Sequence, residues 1–170
     1  MDIDRISAGR APPGEINVFV EIQQGGLVKY ELDPVSGALV VDRFLETSMA
    51  YPGNYGFVPQ TLSEDGDPLD ALVVGAGPVM PGAVVRCRPV GALMTEDEYG
   101  PDAKIVAVPL GPHPPELSLG LRSQITHFFA HYKDLEAAKW VRIIGWADSA
   151  EARRLIEAAL GRAARQRRAP

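Results

Sequence analysis

The chain has 170 residues, of which 46% are hydrophobic and 23% are charged, and this is the composition of one folded domain with a substantial core. Its formal net charge of −5 argues against a general nucleic-acid binder, because such a protein must neutralise phosphates. A single cysteine, Cys87, excludes an internal disulfide, and glycines and prolines interrupt the longest apolar region, residues 71–85, so we expect no membrane span and a cytoplasmic location.

The N-terminal part of the chain predicts a loose lead-in followed by three strands. Residues 1–14 are polar and broken by proline and glycine, and they lack the apolar core of a signal peptide. Residues 17–22, with Val18, Val20 and Ile22 on one face, and residues 27–32, where Lys29 and Glu31 share a face, have the period of strands, and residues 39–44 are expected to form a third strand. Glycine-containing turns separate the three segments.

Residues 51–70 form the most unusual stretch of the sequence. They contain three prolines, three glycines and four acidic side chains. Glycine permits backbone angles that other residues resist, whereas proline fixes φ and removes a hydrogen-bond donor. We therefore predict a rigid, irregular surface loop of the kind that carries function, ending in the closely spaced Asp65, Asp67 and Asp70.

The middle of the chain predicts three further strands around a second acidic loop. The strands are expected at residues 71–74, 82–90 and 104–108, and residues 95–104 are expected to form the loop. A proline-rich connector with four prolines follows at residues 109–115.

The helical signal comes late. Apolar residues from Leu121 to Tyr132 recur along one helical face, residues 140–146 predict a last strand, and Asp148 with Glu151 predicts the start of a second helix. The arginines of residues 162–170 form a basic tail, interpreted as a solvated helix end. We predict one domain over residues 1–170, mainly β with flanking helices (α+β), built as a small closed barrel with two helices packed outside.

Carboxylates are the first candidates for chemistry. Oxygen ligands without histidine or cysteine suit hard cations such as Mg²⁺ or Mn²⁺. The alternative is that these acids are solvated loop residues, which is common for aspartate in turns. The spacing fits neither a calcium-binding EF-hand loop nor an aspartyl-phosphate phosphatase. The eight candidates are Glu21, Glu31, Asp65, Asp67, Asp70, Asp97, Glu98 and Asp102.

A second set of candidates is cationic and phenolic. Lys and Arg donors beside hard-cation ligands favour a site for a highly charged phosphorylated anion, although simple exposure of each cation is the alternative. The sequence lacks a glycine-rich phosphate loop of the Walker type, so a nucleotide is not indicated. The set comprises Lys29, Arg43, Lys104, Lys133, Tyr55 and Tyr132.

Seven motifs together resemble the soluble family I inorganic pyrophosphatases. They occur in the order and near the spacing of that family, and the likeness runs from about residue 15 to residue 147. The DGDPLD run at residues 65–70 is the most specific of them. The motifs occupy residues 29–31, 41–43, 51–57, 65–70, 88–91, 97–104 and 127–133.

The resemblance implies a five-stranded OB-like barrel, Mg²⁺ dependence with Mn²⁺ as a substitute, hydrolysis of pyrophosphate and a homohexamer. It implies that Asp65, Asp70, Asp97 and Asp102 bind metal, and that Asp67 is the general base acting on the attacking water. It further implies that Glu21 and Glu31 are outer acidic residues near the metals. The phosphate ligands by resemblance are Lys29, Arg43, Tyr55, Lys104, Tyr132 and Lys133.

Two departures from the family and two rival functions remain. Gln23 stands where the family usually has proline, and residues 109–118 are shorter and richer in proline than usual. One rival is a non-catalytic OB-like module that binds nucleic acid, which would require a basic face with aromatic residues. The other is a pyrophosphatase-like chain without activity, against which the complete set of acids and cations argues.

Overall fold

The computed structural model describes residues 5–112 and 116–168. Within these residues the chain forms eight strands and two helices. In chain order they are β1 (Ile16–Ile22), β2 (Val28–Leu32), β3 (Leu39–Phe44), β4 (Asn54–Phe57), β5 (Asp70–Val73), β6 (Val84–Asp97), β7 (Gly100–Pro109), α1 (Leu119–His131), β8 (Val141–Ala147) and α2 (Ser149–Arg168).

Five strands close into a barrel. Hydrogen bonds join them in the order β1-β4-β5-β7-β6, and a further pairing of β6 with β1 completes the ring. Only the β5–β7 pair in this ring is parallel. The predicted small closed β-barrel with outer helices is therefore confirmed.

The long strand β6 makes closure possible because it serves three neighbours. Its first residues pair with β1, its last residues pair with β8, and β7 runs along most of its length. The register between β6 and β7 shifts at Pro89 and Gly91, where a bulge bends the strand. The β2–β3 hairpin forms a separate two-stranded sheet.

The two helices cover opposite faces of the central strands. In β5, Ala71 and Val73 belong to a core cluster with Ile156 of α2, whereas Leu72 belongs to a second cluster with Phe129 of α1. Alternate side chains of a strand point to opposite faces, so both faces of β5 are buried. Helix α2 begins as predicted, with Glu151 N donating to Asp148 Oδ1 at 2.9 Å.

The prediction that residues 51–70 are irregular throughout was wrong. Asn54–Phe57 form β4, whose four residues are all buried. Glycine permits this strand rather than breaking it, because a Cβ on Gly56 would lie 1.8 Å from the carbonyl oxygen of Phe19 in β1. The chain is irregular on either side of β4, and residues 59–68 form the loop that carries Asp65 and Asp67.

The prediction of a second acidic loop at residues 95–104 was also wrong, because most of this segment is extended strand. Strand β6 continues to Asp97 and β7 starts at Gly100, so only residues 98 and 99 turn. Thr95 pairs with Asp102 across the hairpin. Asp102 and Lys104 are two residues apart on one strand, so they share a face.

The remaining predicted strands and helices are present within a few residues of their expected bounds. The basic C-terminal end belongs to α2 as far as Arg168. Part of the proline-rich connector, residues 113–115, lies outside the described residues. No helix in the described part of the chain is both long and apolar enough to cross a membrane.

Candidate active site

One cleft of about 1080 Å³ collects every residue that the sequence singled out for chemistry. Strands β1 to β5 and the β6–β7 hairpin surround it, and the C-terminal ends of α1 and α2 lie at its edge. The predicted residues that line it are Glu21, Lys29, Glu31, Arg43, Tyr55, Asp65, Asp67, Asp70, Asp97, Asp102, Lys104, Tyr132 and Lys133. Glu98 lies there too.

Lys104 lies at the centre of this cleft. Its Nζ donates to Asp70 Oδ2 and Asp102 Oδ2, both at 2.8 Å, and to the Tyr55 hydroxyl at 3.1 Å. The Tyr55 hydroxyl in turn donates to Asp70 Oδ2 at 2.5 Å. Only 3% of Lys104 is exposed, so its charge is held by protein groups rather than by bulk water.

An aromatic floor lies beneath Lys104. Its Nζ is 5.4 Å from the ring centroid of Tyr55 and 5.3 Å from that of Phe129, both within cation–π range. Tyr51 packs against Tyr55, and Phe129 packs against Tyr132. These rings exclude water from one side of the cation, which strengthens its electrostatic interactions.

The charged side chains around Lys104 shift one another's pKa values. Burial disfavours the charged form of Lys104, but Asp70, Tyr55 and Asp102 together outweigh it and hold the lysine pKa well above its usual value. Burial raises the pKa of Asp102, and the carboxylate of Asp70 adds to this, although Lys104 opposes both. The single positive charge of Lys104 therefore does not fully balance the negative charges of Asp70 and Asp102.

Asp65 and Asp67 lie on an exposed turn at the mouth of the cleft. Ser63 N donates to Asp67 O at 2.7 Å, and Asp67 N donates to Asp65 Oδ1 at 3.1 Å. Partial burial raises the pKa of the Asp67 carboxyl, and the nearby charges of Asp65 and Asp70 raise it further. Asp67 is thus a stronger base than an isolated aspartate.

The tip of the β6–β7 hairpin brings a second acidic group to the cleft. Asp97 Oδ2 accepts from Lys133 Nζ at 3.0 Å, and Asp97 Oδ1 accepts from Tyr99 N at 2.9 Å. Burial opposes ionisation of Asp97, but these two hydrogen bonds prevail and lower its pKa. Glu98 Oε1 lies 4.0 Å from Lys133 Nζ.

The β2–β3 hairpin supplies the cations of the opposite wall. Lys29 pairs with Glu31 and lies 3.4 Å from Asp42 Oδ2. Arg43 Nη1 donates to Glu136 Oε2 at 2.5 Å, a contact between residues 93 positions apart. Lys29 and Arg43 therefore each have a carboxylate partner.

Glu21 faces the cleft from β1. Its Oε1 accepts from Leu32 N at 2.8 Å, which ties β1 to the β2–β3 hairpin. Burial raises the pKa of Glu21 from 4.5 to about 7, with a smaller contribution from Asp70, while the hydrogen bond from Leu32 opposes the shift. Glu21 is therefore partly protonated near neutral pH.

This shift predicts how stability depends on pH. Because the folded pKa lies above the unfolded one, the folded state holds the proton better, and that stability is lost as pH rises from about 4.5 through about 7. We expect Glu21→Gln to stabilise the metal-free protein by about 3 kcal/mol at pH 8 but only about 1 kcal/mol at pH 5. Urea unfolding in EDTA measures this, and an equal gain at both pH values would contradict the shift.

The donor set of the cleft fits hard divalent cations. The described residues contain no preformed group of three or more His, Cys, Asp or Glu side chains around one point. Asp70 and Asp102 do converge, and the Oε2 atom of Glu98 is buried without a hydrogen-bond partner within the described residues. Mg²⁺ is commonly held by one or two carboxylates together with waters and substrate phosphates, which this arrangement allows.

Sequence reasoning assigned no role to several residues that line the cleft or contact its cations, and four of them are charged or phenolic side chains close to the assigned ones. Asp42 lies 3.3 Å from Arg43 Nε, and Glu136 bridges Arg43 and Lys139. Lys139 and Tyr99 line the cleft itself. Their only sequence signal is proximity to assigned motifs, because Glu136 and Lys139 follow Lys133 closely and Tyr99 lies within the 97–104 motif.

Comparisons with known proteins agree with one another. A family model described as inorganic pyrophosphatase matches residues 18–164. The inorganic pyrophosphatase of Caulobacter vibrioides is 52% identical over 172 residues, covering 95% of this chain and 97% of that protein. That of Gluconobacter oxydans is 53% identical over 175 residues, covering 96% and 99%. The crystal structure of inorganic pyrophosphatase from Thermus thermophilus aligns with a TM-score of 0.91 at 40% identity, covering 96% of this chain and 99% of that one.

Proposed function

The chain belongs to the inorganic pyrophosphatase family, and we propose that its acidic cleft performs the reaction of that family with the residues described above. The reaction is the hydrolysis of pyrophosphate to two orthophosphates, so the protein is a hydrolase with an OB-like fold. The observation that carries the assignment of the site is the convergence on one cleft of all thirteen residues, which come from positions 21 to 133 of the chain.

The charge balance of the cleft supports metal dependence. Nine acidic and six basic side chains of the described chain line it. A pyrophosphate anion would be repelled by such a surface unless divalent cations joined it. Metal dependence belongs to the family, and we propose Mg²⁺ as the ion, with Mn²⁺ as a substitute, because the ligands are all oxygen.

We assign the metal ions to four carboxylates. Asp65, Asp70 and Asp102 would hold the ions next to the attacking water, and Asp97 would hold a further ion at the hairpin tip. When bound, such ions lower the pKa of water and neutralise charge on phosphate oxygens. Glu21 and Glu31 line the same cleft and would serve as outer acidic residues near the metals.

Asp67 is the proposed general base. It lies near Asp65 on the exposed turn at the mouth of the cleft, and its raised pKa brings it closer to the pH at which it must take a proton. Asp67 would orient the attacking water and accept its proton as water attacks phosphorus. The mechanism needs no covalent phosphoenzyme.

The cations and phenols bind the two phosphates. Lys29 and Arg43 approach from the β2–β3 hairpin, Lys104 from β7, and Lys133 from the end of α1, with Tyr55 and Tyr132 between them. Phosphate oxygens would replace some carboxylate partners of these side chains. Charge that develops on the leaving phosphate is then met by donors already in place.

The metal assignment predicts a binding result. We expect Asp102→Asn to weaken Mg²⁺ binding by at least about tenfold, because it removes one of two converging carboxylates. Calorimetric titration of Mg²⁺ into the protein measures this. Glu96→Gln is the matched control, because Glu96 is on the same hairpin but pairs with Arg142. Equal affinity in wild type and Asp102→Asn would remove Asp102 from the metal site.

The rival function, a nucleic-acid-binding OB-like module, is not favoured. Of the aromatic rings that line the cleft, Tyr55, Phe57 and Tyr132 are 7%, 7% and 8% exposed, so Tyr99 alone among these four presents its ring for base stacking. We expect no binding of a fluorescent single-stranded oligonucleotide at low salt. Binding that falls steeply with added salt would revive the rival.

We further propose that the enzyme is a cytoplasmic homohexamer with pyrophosphate as its substrate. Large apolar side chains are exposed on the single chain, among them Phe44 at 72%, Leu119 at 82% and Ile144 at 59%, and a subunit contact would cover such surface. Light scattering should give about six times the chain mass of 18.3 kDa. A monomer mass would refute the hexamer.

A further inference from the structure

The loop that carries the proposed base is anchored at both of its ends. Val58 and Leu69 flank it and are 0% and 3% exposed, and Val58 N donates to Leu69 O at 2.9 Å. Thr61 closes the base of the loop, because its Oγ1 donates to Val58 O at 2.5 Å and accepts from Leu69 N at 2.9 Å. The ends of the loop are therefore part of the core.

The part between these ends is exposed and needs a separate support. Residues 64–68 have exposed side chains, and Gly66 adopts a φ of +98° that favours glycine. Asp65 and Asp67 lie in this turn, which projects beyond the Thr61 bridge. Without another contact, local fluctuations would move the two carboxylates relative to Asp70.

Helix α2 supplies that contact. Arg162 Nε donates to Leu62 O at 2.8 Å, and Leu62 N donates to Ala159 O at 3.1 Å. Both backbone polar groups of Leu62 are thus held by one turn of the helix. The next residue, Ser63, donates its N–H to Asp67 O at 2.7 Å, so the contacts continue from α2 to the base.

We propose that Arg162 is a positioning residue that fixes the 62–67 turn against α2 and thereby holds Asp67 in its working orientation, an inference that rests on the proposed role of Asp67. The hydrogen bond from Nε, rather than the positive charge of the side chain, is what fixes the turn. The nearest carboxylate, that of Glu64, lies 3.9 Å from Arg162 Nη1 and its side chain is 70% exposed, so this ion pair contributes little. Arg162 therefore acts through a hydrogen bond to the backbone.

Two substitutions isolate this hydrogen bond. In Arg162→Gln the side-chain amide nitrogen occupies the position of Nε along the chain and keeps a donor, whereas Arg162→Met has the same length without one. Both remove the charge. Arg165→Met is a further control, because Arg165 lies one turn further along α2 with an exposed side chain.

We expect Arg162→Met to lower kcat by about tenfold or more while KM changes less than about threefold, because small misplacement of a reacting group is costly. Arg162→Gln and Arg165→Met should stay within about threefold of wild type in both constants. Hydrogen exchange of the metal-free proteins without substrate gives a second readout. Amides of residues 62–67 should exchange about tenfold faster in Arg162→Met and at the wild-type rate in Arg162→Gln.

Two results would overturn the proposal. Equal kinetics and equal exchange in Arg162→Met and Arg162→Gln would show that the donor does not matter. Exchange accelerated equally in β5 and β7 would show that Arg162 supports the whole fold instead of the turn. The exchange measurement does not depend on the reaction. If the wild-type protein were inactive, the proposed function would be refuted, but the exchange rates would still show whether Arg162 supports the turn.

Discussion

Asp67→Asn is expected to lower the kcat for pyrophosphate by about 10³-fold, within the range of about 10² to 10⁴ that a general base contributes. Asparagine keeps the size of the side chain and its polar contacts but cannot accept the proton of the attacking water. Substrate still meets the cations of the opposite wall, so KM should change far less than kcat. Steady-state phosphate release, measured at saturating Mg²⁺, gives both constants.

Asp67→Asn should not destabilise the protein. Partial burial and the charges of Asp65 and Asp70 raise the pKa of Asp67, so removing its charge relieves repulsion in the metal-free turn. Glu64→Gln is the matched control, because it removes one carboxylate from the same loop outside the cleft lining. A kcat for Asp67→Asn within threefold of wild type, with Mg²⁺ binding intact, would remove Asp67 from the mechanism.

Lys104→Met is expected to destabilise the metal-free protein by about 3–5 kcal/mol at pH 8, the usual cost of removing one partner from a buried ion pair. Methionine retains the length of the stem but leaves Asp70, Asp102 and Tyr55 without the ammonium group that they share at 2.8, 2.8 and 3.1 Å. Guanidinium unfolding in EDTA measures the loss.

The pH and metal dependence of Lys104→Met separate this cause from loss of packing. Asp102 already has a raised pKa, and loss of Lys104 raises it further, so the destabilisation should shrink at pH 5, where protonation removes the unpaired charge. Added Mg²⁺ should restore part of the stability. Lys139→Met, which removes a more exposed cation, should cost at most about 1 kcal/mol. A loss that is the same at pH 5 and pH 8 would contradict the electrostatic account.

Lys104→Met should also reduce turnover. Lys104 is the most deeply buried of the proposed phosphate ligands, and donors in such sites contribute about 10² to 10³ in kcat. The kcat values of the variant and the wild type are compared at pH 8 without guanidinium, with enough Mg²⁺ to keep the variant folded. Wild-type turnover in a folded variant would show that Lys104 is structural only.

Local patterns in the sequence predicted most strands and both helices, because alternation and helical periodicity act over a few residues. Closure of the barrel is different: it depends on the pairing of β1 with β6, which places Ile16 opposite Cys87, and no local pattern reports such a contact. Residues 54–57 and 95–104 were missed for a related reason. Glycine and acidic residues are typical of loops, but here glycine allows close strand approach and the acids face a cleft.

The residues assigned to the site from short motifs all line one cleft, while their roles remain proposals. The partners that orient those residues were not predicted. Glu136 holds Arg43 across 93 positions, and Arg162 holds the turn of Asp67 across 100 positions to Leu62. Such contacts are set by tertiary packing, so short motifs suggest candidate reacting groups but not the groups that orient them.

We propose that this cleft hydrolyses pyrophosphate with the help of divalent metal ions. The most direct test is phosphate release from pyrophosphate by the purified protein, with Mg²⁺, with excess EDTA, and with Mg²⁺ restored. We predict rapid release of two phosphates per pyrophosphate with Mg²⁺, loss of release in EDTA, and full recovery when Mg²⁺ is restored. Release that continues in EDTA would contradict the metal mechanism, and no release with Mg²⁺ or Mn²⁺ from folded protein would contradict the function.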